Sequence, residues 1–171
     1  MEDQGLNILS LFNGMGCAWL AFDKAGIKVN KRYSSEIDKF ASIVNNANYP
    51  DTIQLGNVLN VTLKDFGDSP IDIVVGGSPC WQSFSFAGKR KGMSTKCETE
   101  ILTLDQYLQL KSEGFEFEGQ SYLFWEYMRV LTELRKVNPG ILFLLENVKK
   151  KKKWEGVLSK AIGINGLHIN S

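Results

Sequence analysis

The sequence predicts an α/β domain built on a mostly parallel sheet, because apolar, β-rich runs alternate along the chain with segments of helical periodicity. Two further observations support this class. A glycine turn, Phe12-Asn13-Gly14-Met15-Gly16, follows the first apolar run, and an acidic residue, Glu36, closes the second. In doubly wound sheets such a turn lets a ligand approach the backbone, and such an acid accepts hydrogen bonds from ribose hydroxyls.

The first strand is expected from Leu6 to Phe12 and the second from Val29 to Ser35, with a weaker one near Thr52 to Leu55. Two more follow at Ile71 to Val75 and Ile141 to Leu145. Between them, Cys17 to Ala25 reads as a short helix stopped by Gly26, and Lys39 to Asn46 as a second. The longest helix is Tyr122 to Lys136, where Leu123, Tyr127, Val130, Leu131 and Leu134 recur at helical spacing before Asn138-Pro139-Gly140 ends it. Lys89 to Gly119 is mostly polar and reads as a mobile excursion, with at most a short helix around Leu104 to Leu110.

A chain of 171 residues with 43% hydrophobic content is expected to form one domain with its own core. No apolar run approaches the roughly 20 residues a membrane span needs, and Met1-Glu2-Asp3-Gln4-Gly5 lacks the positive region of a signal peptide. A cytoplasmic location is therefore expected, or a nuclear one in a eukaryote. Three cysteines without a CxxC pair argue against a disulfide framework or a metal site, and the single histidine argues against a Ser/His/Asp or Cys/His device. The net charge of +1 does not by itself point to nucleic acid.

Glu36 lies 20 residues beyond Gly16, the separation at which a strand-end acid meets a ribose. The third glycine of a dinucleotide fingerprint would fall at position 19, where this chain has Trp19. A nucleoside with a less bulky anionic end therefore suits the turn better than a dinucleotide, and a plain strand-to-helix turn would account for the glycines alone. In Gly76-Gly77-Ser78-Pro79-Cys80, small residues and a fixed proline φ open a buried strand into a site and present Cys80 as a candidate nucleophile. The alternative is a Gly-Pro turn with a bystander cysteine. Glu146, expected to be buried at the end of the last strand and near Cys80, could share a substrate base with it; a helix-capping acid is the alternative.

Phe12-Asn13-Gly14-Met15-Gly16, Ser35-Glu36-Ile37-Asp38, Gly77-Ser78-Pro79-Cys80 and Glu146-Asn147-Val148 occur in the order and approximate spacing of motifs in the cytosine-5 DNA methyltransferases, which the chain resembles. Gly76 to Cys80 and Leu123-Phe124-Trp125-Glu126-Tyr127 are most similar to the branch with the animal de novo enzymes and phage relatives. The resemblance implies a Rossmann-like S-adenosylmethionine-dependent methyltransferase fold, a mostly parallel sheet with helices on both faces, incomplete at its C-terminus. It also implies catalysis by Cys80, adding to cytosine C6, and by Glu146, hydrogen-bonded to the base edge.

By the same resemblance, Phe12, Asn13, Gly14, Met15, Gly16, Glu36, Ile37, Asn57, Val58, Pro79 and Leu123 would line the S-adenosylmethionine pocket. Ser78, Pro79, Ser85, Asn147, Lys89, Arg90, Lys149 and Lys150 would face substrate, which is double-stranded DNA with its target cytosine flipped out. Asn57 stands where the family usually has an aspartate, so weaker cofactor binding is expected. The family's Q-x-R-x-R motif, target-recognition domain and final motif have no counterpart, so a truncated protein, a broken gene or one half of a split enzyme needing a complementing fragment is expected. A regulatory relative without turnover and an RNA cytosine-5 methyltransferase on the same fold are the competing functions.

The basic clusters Lys149 to Lys153 and Lys89-Arg90-Lys91 suit phosphate contacts, although a lysine run also makes an ordinary solvated surface. Cys17 is expected to be a small packing residue, Cys97 an exposed loop thiol, His168 structural, and Trp19 and Phe22 core.

Overall fold

The computed structural model describes residues 5–77, 79, 93–97, 99–117, 119–148 and 152–169. They divide into two compact units, one comprising Met1–Gly77 with Val130–Glu146 and the other Ser78–Arg129 with Asn147–Ser171.

The first unit carries a sheet of five strands among the described residues. These are β1 (Leu6–Leu11), β2 (Val29–Ser35), β3 (Ile53–Gln54), β4 (Ile73–Gly76) and β5 (Leu142–Leu145), ordered β3-β2-β1-β4-β5. Every pairing is parallel. Leu11 lies opposite both Ser35 and Gly76, and Gly76 lies opposite Leu145, so four strands end on one edge in register. The chain steps outward one way from β1 and the other way from β4. The strand order therefore reverses between β1 and β4, which makes the C-terminal ends of these strands a topological switch point.

β1 is almost wholly buried, as a central parallel strand must be. Helix α1 (Cys17–Lys24) follows it and places Trp19 and Phe22 against Ile8, Val75 and Ile73, as expected of core residues. Cys17 is exposed rather than packed, because the first residue of α1 projects away from the face that carries Trp19. Helix α2 (Lys39–Asn48) begins at Asp38, whose carboxylate accepts from the N–H groups of Phe40 at 2.8 Å and Ala41 at 3.0 Å, satisfying two orphan donors of the first turn. Two 3-10 turns, Val58–Asn60 and Leu63–Phe66, lead from β3 toward β4, and Phe66 meets Tyr33 edge-on at 5.2 Å. Asn138 turns the chain into β5, donating from Nδ2 to the Ile71 carbonyl at 2.9 Å.

The second unit holds α3 (Leu104–Ser112) and α5 (Lys152–Ile162), while α4 (Leu123–Val137) is divided between the units at Arg129 and Val130. The described part of the stretch expected to be a mobile excursion is instead tied down. Antiparallel bridges join Ser94 to Glu100 and Thr95 to Phe117, and Met93, Ile101 and Tyr107 are fully buried. Single apolar residues scattered among polar ones leave no period to read, yet Met93, Ile101 and Tyr107 pack inside the fold. Helix α5 has no counterpart in the sequence reading, although its buried Trp154 and Leu158 stand at helical spacing. Cys97 is exposed as expected, and His168 is a surface side chain 3.9 Å from Glu155.

Candidate active site

The cofactor candidates are built by the loop leaving β1. Phe12 takes a left-handed φ of 58°, and Gly14 and Gly16 follow at 58° and 90°. Such a conformation strains a non-glycine residue and suits glycine. The turn is anchored to β2, since the Asn13 N–H donates to the Ser35 carbonyl at 3.2 Å. Gly16 then caps α1, whose N-terminal N–H groups face the end of the sheet where an anionic group would be favoured.

Glu36 receives three backbone hydrogen bonds. Its Oε2 accepts from Gly14 N–H, and its Oε1 from the N–H groups of Ile37 and Asp38, each at 2.8 Å. A carboxylate has about four acceptor positions, so about one remains, on Oε2. The acid expected to hold a ribose is thus half-buried, oriented by its neighbours, and able to take one hydroxyl without releasing the turn. Beside it, Ile37 is 70% exposed, an apolar surface available to a flat ring. Met15 is also exposed.

The Asn57 segment is brought to the same edge, because Ser35 Oγ donates to the Gly56 carbonyl and Leu55 N–H donates to the Ser34 carbonyl. Asn57 Oδ1 already accepts from Leu59 N–H at 3.0 Å, capping the 3-10 turn. An aspartate would cap as well, so the asparagine keeps the local fold and gives up only a charge. Val58 is buried. Leu123 and Pro79 are partly buried and belong to the other unit.

Glu146 follows β5 and donates its N–H to the Gly76 carbonyl at 2.9 Å. Its carboxylate passes close to Gly77, where an added Cβ would stand 2.9 Å from Oε2. The expectation that Glu146 is buried fails: it is exposed, because among the described residues β5 is an edge strand of the sheet, and alternate residues Leu142 and Leu144 are open too. Asn147 is partly buried, and its Oδ1 accepts from Val148 N–H at 2.9 Å. Ser78, Cys80, Ser85, Lys89, Arg90, Lys149 and Lys150 lie outside the described residues.

The sequence reading passed over Asn45, which is fully buried beneath the glycine turn and bonded to Asn13 and Trp19. It passed over Glu126 as well. That carboxylate is fully buried and accepts from Tyr107 Oη, Lys111 Nζ and, at 2.7 Å, Arg129 Nε. The Glu126, Arg129 spacing on a helix was a readable sign of this cluster. Among the described residues no helix is long and apolar enough to cross a membrane, and no group of three His, Cys, Asp or Glu side chains could hold a metal ion.

A parallel sheet in this order, with a glycine turn and a strand-end acid at its switch point, defines a Rossmann-like methyltransferase fold, and solved structures agree. A DNMT2 mutant of Spodoptera frugiperda matches with a TM-score of 0.60 at 18% identity, over 92% of this chain and 40% of that one. The Dnmt2 methyltransferase of S. pombe matches at 0.55 and 17%, over 92% and 39%. The sequence profile described as C-5 cytosine-specific DNA methylase matches residues 6–107, and the chain belongs to that family.

Relatives include the type II methyltransferase M.Bsp6I of Bacillus sp. (strain RFL6), 30% identical over 96% of this chain and 44% of that protein. The type II methyltransferase M1.ScrFI of Lactococcus lactis subsp. cremoris is 35% identical over 85% and 29%. The orphan methyltransferase M.Rho11sI of Bacillus phage rho11s is 38% identical over 67% and 23%. The chain therefore spans less than half the length of these relatives.

Proposed function

We propose that this chain is the cofactor-binding and catalytic half of a DNA (cytosine-5)-methyltransferase that uses S-adenosylmethionine. The observation that carries the reading is the bonded pair of glycine turn and Glu36 carboxylate at the switch point, within a chain of the C-5 cytosine-specific methylase family. The residues fit the cofactor: an oriented carboxylate keeps an acceptor for a ribose hydroxyl, Ile37 offers an apolar face to adenine, and two glycines leave the turn without side-chain bulk. Bound there, S-adenosylmethionine supplies an electrophilic methyl group.

Cytosine C5 is a weak nucleophile, so the chain's own residues must activate the base. The Cys80 thiolate attacks C6, forming an S–C6 bond and pushing the ring's electron pair toward C5. Glu146, at the exposed end of β5, hydrogen-bonds the N3 and amino edge and stabilises the charge that develops there. Once C5 carries the methyl group, the donor being left as S-adenosylhomocysteine, the C5 proton passes to solvent, its electron pair re-forms the C5–C6 double bond and the S–C6 bond breaks, freeing the Cys80 thiolate. The target base leaves the duplex to reach these groups, as it must for an enzyme that does chemistry on a stacked base. Lys89, Arg90, Lys149 and Lys150 are assigned to backbone phosphates.

The test is Cys80→Ala in an active enzyme carrying this half. Methyl transfer should be abolished while S-adenosylmethionine affinity stays within about threefold, because the thiol acts on the base rather than the cofactor. Retained turnover would reject the assignment. Trapping on a duplex with a fluorinated cytosine, compared with a structured RNA carrying the same base, identifies the substrate.

A further inference from the structure

Asn45 stands in the middle of α2, where its environment reverses the usual amphipathic pattern. The amide is fully buried, while Phe40 and Ile43 of the same helix are 79% and 55% exposed. Burying a primary amide in place of those side chains is unfavourable unless its hydrogen bonds are made. They are made, and toward one place. Asn45 Oδ1 accepts from Asn13 Nδ2 at 3.0 Å and from Trp19 Nε1 at 2.9 Å. Its Nδ2 donates to Asn46 Oδ1 at 3.1 Å, and Asn46 Oδ1 also accepts from Gln54 Nε2 at 2.8 Å, which ties the amide to β3.

The two donors bracket the glycine turn. Asn13 immediately precedes Gly14, and Trp19 lies in the first turn of α1, just after Gly16. The turn also rests directly on the amide: at Gly16, with φ 90°, an added Cβ would stand 2.6 Å from Asn45 Oδ1. One oxygen thus holds both ends of a segment containing two positive-φ residues, Gly14 and Gly16, with Phe12 at positive φ just before it, a conformation a free chain seldom adopts.

We propose that Asn45 is a positioning residue for the cofactor turn, holding Gly14 to Gly16 in the binding shape through Asn13 and Trp19 without touching the cofactor. The proposal rests on the reading of this turn as the S-adenosylmethionine site. When only a fraction of molecules hold the competent shape, the apparent dissociation constant rises by the inverse of that fraction. Loss of the amide therefore weakens binding but leaves the methyl-transfer step at saturating cofactor unchanged. The same arrangement explains why Trp19 occupies the place of a third glycine: its indole N–H is the second donor to the shared oxygen.

The test compares Asn45→Leu, which keeps volume but accepts nothing, with Asn45→Asp, which keeps the acceptor, and Trp19→Phe, which removes one donor. S-adenosylhomocysteine binding is measured by calorimetry, and amide hydrogen exchange by NMR at Gly14 and Gly16, with Val74 and Val75 in β4 as internal controls. Asn45→Leu should weaken binding and speed exchange at Gly14 and Gly16 by about tenfold or more, with the controls unchanged. Asn45→Asp should recover most of the loss, Trp19→Phe should fall between, and the Asn45→Leu, Trp19→Phe double variant should be no worse than Asn45→Leu alone, since the two remove one shared bond.

Wild-type binding and exchange in Asn45→Leu would overturn the proposal, as would equally faster exchange at Val74 and Val75. If Asn45→Leu does not fold, Trp19→Phe decides by the same two readouts. If the wild-type chain binds no S-adenosylhomocysteine, the cofactor reading fails, while the exchange at Gly14 and Gly16 still decides what Asn45 does.

Discussion

Gly14 and Glu36 are joined by a hydrogen bond of 2.8 Å from the glycine N–H to Oε2, so the acid assigned to the cofactor ribose also fixes the turn over which the cofactor would lie. A carboxylate at the end of β2 couples two functions that the sequence presents as separate motifs. Its other oxygen, held by Ile37 and Asp38, keeps the carboxylate from rotating away.

Glu36→Ala should therefore weaken S-adenosylmethionine binding by about 1.5–3 kcal/mol, the range for hydrogen bonds to a charged group. Exchange of the Gly14 amide should accelerate in the same variant, because its acceptor is gone. Unchanged affinity by calorimetry would reject the ribose role, and faster Gly14 exchange alone would leave Glu36 as an anchor of the turn only.

Gly77 separates stability from chemistry at the second motif. A Cβ at this position meets Glu146 Oε2 at 2.9 Å but the Glu146 carbonyl only at 3.4 Å, so the flexible carboxylate can swing aside while the backbone stays. Gly77→Ala should change unfolding stability by no more than about 0.5 kcal/mol. Methyl transfer in an active enzyme carrying this half should fall by about a hundredfold, the cost of misplacing a reacting group by roughly an ångström. Denaturant titration and a methyl-transfer assay on the same preparation check both, and wild-type turnover would argue against the role given to Glu146.

Tyr107 gives the second unit an alkaline limit. Burial raises its hydroxyl well above the ordinary value of 10.0, and the hydrogen bond to Glu126 adds to the rise. The folded state thus holds this proton more tightly than the unfolded chain, so the contribution is fully present below about pH 10 and is lost as pH rises from there. Tyr107→Phe should flatten the fall in stability above about pH 10, leaving the slope from Tyr49 and Tyr122, whose hydroxyls are raised chiefly by burial. Unfolding midpoints measured from neutral to strongly alkaline pH read this directly, and identical slopes in the two proteins would exclude it.

The sheet and the first motif were legible because local signals and tertiary placement agree there. β1 is apolar because it is central, and Glu36 falls at the spacing a βαβ unit imposes. Asn45 was not legible, since a polar residue in a helix reads as a solvated one, and only the turn above it makes burial favourable. Glu146 was placed correctly at the end of β5, but its burial was misjudged because sequence does not say which strand is outermost. Helix α5 was hidden behind its lysines, which drew attention to charge while Trp154 and Leu158 carried the helical period.

The edge strand β5 also exposes apolar side chains. Parallel strands are ordinarily covered on both faces, yet Leu142 and Leu144 of β5, two residues apart on one face, are each 63% exposed, and Val137 nearby in sequence is 65% exposed. Phe143, alternating to the other face, lies beneath the Arg135 guanidinium at 4.9 Å. An apolar edge of this kind is a template for association between copies. Replacing Leu142 with Lys and Leu144 with Glu should shift the chain toward monomer at a given concentration, with stability changed by only about 0.5 kcal/mol because little burial is lost. Sedimentation velocity over a concentration series measures the shift, while calorimetry with S-adenosylhomocysteine should give the wild-type affinity, since both positions lie away from Glu36 and the glycine turn. Unaltered association in the double variant would assign the self-contact to another surface.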